Sequence, residues 1–148
     1  MKDLEELLLR AGALETADPV ARVRWIEAVA DATARAGLGQ AGDRAALDLR
    51  ASLGAIVAYS RSPRTDRDRI ALEATVRTFT ARALYGLYGA LADAYRELGL
   101  SGPNAARCRE LASVFLELQR ALASGAPPSE QLRARLRRLE DETPETEP

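Results

Sequence analysis

A chain of 148 residues holds one compact domain, which buries roughly 70% of the surface its unfolded form exposes, and two domains would each be marginal. Hydrophobic residues make up 47% but aromatics only 5%, so the expected core is Leu, Ala and Val, with Trp25, Phe79, Phe115 and the tyrosines as its few large pieces. A net charge of −1 is far from the basic excess of a dedicated nucleic-acid binder, and the lack of any histidine excludes Ser-His-Asp and Cys-His nucleophilic sites, HExxH zinc sites and the Glu-x-x-His di-iron bundle.

The first predicted helix runs from Leu4 to Leu14, with Asp3 and Glu6 at capping-box spacing and Leu4, Leu7, Leu8, Ala11 and Leu14 as its apolar stripe. Asp18-Pro19 starts a second, because proline is pre-organised for a first helical turn. It continues to about Ala36 and stops at Gly37; on its polar edge Asp31 and Arg35 stand at pairing distance. Gly37 to Gly42 reads as a flexible connection, after which Asp43 caps a third helix striped by Ala46, Leu49, Leu53 and Ile56. That helix ends before Ser62-Pro63, since the residue before proline is pushed out of the α region.

From Asp66 to Leu98 there is no proline, and two apolar seams step by three and four. One is Leu72, Val76, Phe79, Ala83, Gly86, Ala90; the other is Ile70, Ala74, Arg77, Ala81, Leu84, Tyr88, Leu91, Tyr95, Leu98. Two seams predict a long central helix with neighbours on two sides, about 50 Å long at 1.5 Å per residue. Gly99 closes it. A fifth helix carries Cys108, Leu111, Phe115, Leu118 and Leu122, and Gly125-Ala-Pro-Pro-Ser129 breaks the chain again. The last helix, about 129–141, has a narrow seam of Leu132, Leu136 and Leu139 among arginines. No alternating β-branched run lies between turn residues. The expected fold is therefore all-α: an antiparallel bundle of five main helices around the long central one, plus a short C-terminal helix. Residues 1–125 form the bundle domain, 126–142 a peripheral helix and 143–148 a disordered acidic tail.

The stretch Tyr88-Gly-Ala-Leu91-Ala92-Asp-Ala-Tyr95 resembles the first-helix pattern of a tetratricopeptide repeat, W-x2-L-G-x2-Y, with Gly99 at the following turn. One copy is present, without a 34-residue recurrence, so an αα-hairpin repeat-like arrangement stands beside the bundle as an alternative.

Cys108 is the single cysteine, which rules out an intrachain disulfide and a cysteine zinc site. It reads as a small buried hydrophobe flanked by Arg107 and Arg109. Glu27/Asp31 and Asp93/Glu97 have helical spacing but nearby arginines, so they read as a solvated salt-bridge face and no metal site is expected. Gly37, Gly39 and Gly42 lack the strand and Lys-Ser/Thr of a phosphate cradle; no cofactor is expected. The first residues lack a continuous apolar segment, and the run Ala51 to Tyr59 is far shorter than the ~20 residues that span a bilayer. A cytoplasmic protein without membrane contact is the expectation.

Three features bear on partners. Tyr85-Gly86-Leu87-Tyr88-Gly89 places two glycines inside a helix, where each costs on the order of 1 kcal/mol against alanine. Either a helix approaches closely at Gly86 and Ala90, or Tyr85, Gly86, Tyr88 and Gly89 line a groove for a partner. Arg61, Arg64, Arg67 and Arg69 occupy a turn and a helix start, diluted by Asp66 and Asp68. Arg133, Arg135, Arg137 and Arg138 are followed by Glu140, Asp141, Glu142, Glu145 and Glu147, so this segment can fold back on itself or dock on a partner.

The function expected from these residues is a non-catalytic protein–protein interaction protein, an adaptor or small subunit of a larger assembly. Its partner is another protein or a second copy, met at Tyr85, Gly86, Tyr88 and Gly89. Two alternatives remain: a nucleic-acid accessory subunit contacting phosphates through the two arginine clusters, and a small-molecule sensor or carrier with a pocket between helices, walled by Trp25 and tyrosines.

Overall fold

The computed structural model describes residues 2–9, 19–61, 65–125 and 128–141, and in these the protein is an all-α bundle without a strand. The helices are α1 (Lys2–Leu9), α2 (Pro19–Ala36), α3 (Gly39–Arg61), α4 (Asp66–Leu98), α5 (Ala105–Ser124) and α6 (Glu130–Asp141). Contacts divide the chain into two compact units, Met1–Gly86 and Leu87–Pro148. The division falls inside α4. The remainder of the first predicted helix, residues 10–14, and the acidic tail 143–148 lie outside the described residues.

In the first unit α2 and α3 pack along one another and α1 packs on α2. The connection between α2 and α3 is only Gly37-Leu38, not the six-residue linker expected, because α3 starts at Gly39 and absorbs Gly42. Gly37 and Gly39 both adopt left-handed φ (67° and 77°), a conformation that glycine takes without steric cost. At Gly42 a Cβ would lie 2.6 Å from the Leu38 Cβ. Asp43 is consequently inside α3 and caps nothing. The paired helices bury mostly small residues: Ala30, Ala32, Ala45 and Ala46, around Val29 and Leu49. The Trp25 indole N–H donates to the Leu7 carbonyl (2.9 Å), which satisfies one of the last carbonyls of α1. α4 is tied to α3 by the Ser52 and Thr80 hydroxyls, 2.6 Å apart, with Ser52 fully buried.

In the second unit the end of α4 packs on α5 through rings. Tyr88 and Tyr95 stack on Phe115 with centroids 6.0 and 5.8 Å away and planes inclined by 21° and 15°. Leu87, Leu91, Ala92, Leu111 and Val114 complete this core. The tetratricopeptide-like residues Tyr88, Leu91, Ala92 and Tyr95 are thus the packed side of the α4–α5 hairpin. Gly99 ends α4 by donating to the Tyr95 carbonyl (2.8 Å). Gly125 ends α5 in a left-handed conformation, φ 72°, with its N–H on the Leu122 carbonyl. α6 is capped by the Ser129 hydroxyl, which accepts from the Leu132 N–H (3.1 Å).

α4 is unbroken from Asp66 to Leu98, as its spacing predicts. The expectation of neighbours on both flanks is corrected in its first half. There the second seam is exposed at Ile70, Ala74, Arg77 and Ala81 and becomes buried only at Tyr88, Leu91 and Tyr95. Three of those first four residues are alanine or arginine, which offer little apolar surface to repay ordering a neighbour against them. The expected close approach at Gly86 is also corrected. A Cβ at Gly86 would meet nothing within 4 Å, whereas one at Gly89 would lie 2.7 Å from the Gln119 side-chain nitrogen. Nothing in the structure explains the glycine at 86.

Two substitutions test this packing by urea unfolding. Phe115→Ala removes the ring on which both tyrosines stack and is expected to cost about 3–5 kcal/mol. Gly86→Ala is expected to stabilise by about 1 kcal/mol, since it gains helix propensity with no collision.

Candidate interaction surface

Helical geometry sets what α4 displays. Successive residues turn by about 100°, so Arg67, Ile70, Ala74, Thr78, Ala81 and Tyr85 fall on one side. All six are exposed, Ile70 by 68% and Tyr85 by 47%. Val76 and Phe79 are half-buried and Ala83 buried on the opposite side. The exposed strip runs from Ile70 to Tyr85, about 22 Å. The Thr78 hydroxyl on it is satisfied within the helix, donating to the Ala74 carbonyl at 2.9 Å. Two alanines and the Thr78 methyl therefore form the middle, with an isoleucine and a tyrosine as larger pieces at the ends. Arg77 and Arg82 are exposed along its margins.

The four residues expected to form a partner face do not share one. Tyr85 is exposed and Gly86 open, but Tyr88 is 6% exposed and stacked on Phe115, and Gly89 faces Gln119. The sequence missed Ile70, Ala74 and Ala81 as surface residues because their spacing is that of a buried seam. The signal available was Arg77 in the middle of that seam.

The arginine clusters separate as well. Arg67 is exposed; Arg64 and the side chains of Arg61 and Arg69 lie outside the described residues. Arg133 and Arg137 are exposed on α6. Arg135 instead turns onto α5, where its Nε donates to Glu110 (2.9 Å), one terminal nitrogen to Glu117 (2.8 Å) and the other to Ser113 (3.2 Å). Arg138 reaches the same Glu110 oxygen at 2.7 Å. Together with buried Leu132 and Leu139, this clamp holds α6 along α5. Glu110 is held below the ordinary glutamate range, first by the hydrogen bond from Arg135, with desolvation opposing and the charges of Arg135 and Arg138 adding. The same bond raises Arg135 further.

The carboxylate pairs fall into ordinary ion pairs. Asp31 meets Arg50 of α3 (3.8 Å) rather than Arg35, and Asp93 meets Arg96 (3.7 Å). No group of three metal-ligating side chains occurs among the described residues. Cys108 is half-buried in α5. Trp25 lies in the first unit and engages Leu7, while Tyr88 and Tyr95 fill the core of the second. No described helix is long and apolar enough to cross a membrane.

The chain matches no family model, no curated protein and no solved structure.

The clamp makes a pH prediction. Because the folded Glu110 titrates below its ordinary value of 4.5, its contribution is full above that value and is lost as pH falls through the lower folded one. Backbone NMR shifts of α6 should therefore change in acid with a midpoint below 4.5. Glu110→Gln should abolish that transition and loosen α6 at neutral pH by about 1 kcal/mol, the scale of a part-exposed ion pair.

Proposed function

We propose that this chain is a non-catalytic interaction protein, an adaptor or small subunit, that receives a helix of another protein along the exposed strip of α4. One observation carries the reading: on an unbroken helix Ile70, Ala74, Thr78, Ala81 and Tyr85, at three–four spacing over about 22 Å, all stay exposed. Scattered exposed apolar residues are normal on any protein, but a periodic strip on one helix face is the form that a second helix fits. Alanines and the self-satisfied Thr78 in its middle let a partner backbone come close without stranding a hydrogen-bonding group. Ile70 and Tyr85 supply the larger contacts that dominate interface energetics.

Charge narrows the partner. Exposed Arg67 and Arg82 flank this strip, so an amphipathic helix with acidic margins fits it. The nucleic-acid alternative is weakened by the use of Arg135 and Arg138 in holding α6.

The test is a photo-crosslinking amino acid placed at Ala74 in the native cell, with Ser101 as an exposed control position. A protein captured from Ala74 and not from Ser101, and lost in Ala81→Glu, is the expected result. Ala81→Glu lies on the exposed surface and should move stability by no more than about 0.5 kcal/mol. Equal capture at both positions, or none at Ala74, overturns the reading.

A further inference from the structure

The second unit carries a separate feature, an open cleft of about 340 Å³ along α5. Its floor is Ala112 and Leu116, and three arginines line it: Arg96 from α4, and Arg109 and Arg120 from α5. A fourth charge, Glu117, is engaged by Arg135 at 2.8 Å and so offsets little of the arginines' field. Arg109 is fixed in place. One terminal nitrogen donates to the Gly99 carbonyl at 2.8 Å, and its Cγ lies 2.7 Å from where a Cβ of residue 99 would be, so only glycine there leaves room for its stem. Arg96 is three residues before Gly99 in α4 and therefore stands at the Arg109 end. Among the described residues it pairs with exposed Asp93, at 3.7 Å. Arg120 has no hydrogen-bond or ion-pair partner among the described residues.

Spacing decides what such a cleft can hold. Arg109 and Arg120 are eleven positions apart on one helix, about 16 Å between backbones, and the Arg109 guanidinium is held on the Gly99 carbonyl, so two anionic groups spaced along the cleft fit these arginines better than one. Between them the lining is Ala112 and Leu116, with Ser113 and Glu117 beside them. We propose that this cleft binds an elongated dianionic small molecule: one anionic group between Arg96 and Arg109, the other on Arg120, and an apolar chain lying on Ala112 and Leu116. The volume is within the range of small-ligand sites, and a guanidinium pairs bidentately with a carboxylate or a phosphate alike. This site is independent of the strip on α4.

Titration of the full chain by calorimetry with linear dicarboxylates of increasing length tests it, with the monocarboxylate of equal length and inorganic phosphate as companion probes. The expected result is saturable binding with an optimum at one intermediate length and affinity about tenfold above the monocarboxylate, the gain of one charge-assisted contact. Arg120→Gln should erase the preference for two charges and leave monocarboxylate binding unchanged. Arg133→Gln, an exposed arginine elsewhere, should change neither. Dicarboxylates that bind no better than the monocarboxylate, or an equal loss in Arg120→Gln and Arg133→Gln, would overturn the assignment. Phosphate binding as tightly as the best dicarboxylate would do so too, since it would show a single-anion site.

Discussion

The unbroken hydrogen-bonded ladder of α4 is the constraint around which the rest is arranged. No proline interrupts it, so every side chain from Asp66 to Leu98 is assigned an angle by its position alone. What changes along the ladder is the size of the side chains at those angles. In the second seam, Tyr88, Leu91 and Tyr95 are buried, while Ile70, Ala74, Arg77 and Ala81 are exposed. A buried aromatic side chain removes roughly 150–250 Å² from water, and an alanine removes only a fraction of that. The rings recruit Phe115 of α5; the alanines stay exposed among the described residues. The same periodicity thus makes a core in one stretch and a bare strip in another.

Electrostatics takes over where apolar surface is thin. α6 has one narrow leucine seam, and burial of Leu132 and Leu139 is supplemented by two arginines converging on Glu110. A lysine at 135 could not reproduce this arrangement, because three nitrogens of one planar guanidinium reach Glu110, Glu117 and Ser113 at once. Charges that read in one dimension as a basic run are therefore divided by the fold: Arg135 and Arg138 face α5, and Arg133 and Arg137 face solvent.

Glycines mark the places where backbones or stems must pass close. Gly37 and Gly39 make the two-residue reversal that sets α2 beside α3, and alanines on both helices keep that pair close. Gly99 has a second use, leaving room for the Arg109 stem. In each case the glycine is explained by what a Cβ would strike or by a positive φ, and positions 54 and 86, where neither applies, are exceptions.

Much of the helix layout was legible in the sequence because the signals that bound helices are local. Pro19 opens α2, Gly37 ends it, and Gly99 and Gly125 close α4 and α5. Only the Gly39–Gly42 stretch misled, because glycines that serve a tight reversal look the same as glycines in a loose linker. Partners were not legible. Whether Asp31 meets Arg35 or Arg50, which carboxylate Arg135 finds 25 and 18 residues away, and that Tyr88 is covered while Tyr85 is not, all depend on what lies opposite. A helical repeat in one chain fixes the direction of each side chain but not the presence of a neighbour, and burial and pairing are properties of that neighbour.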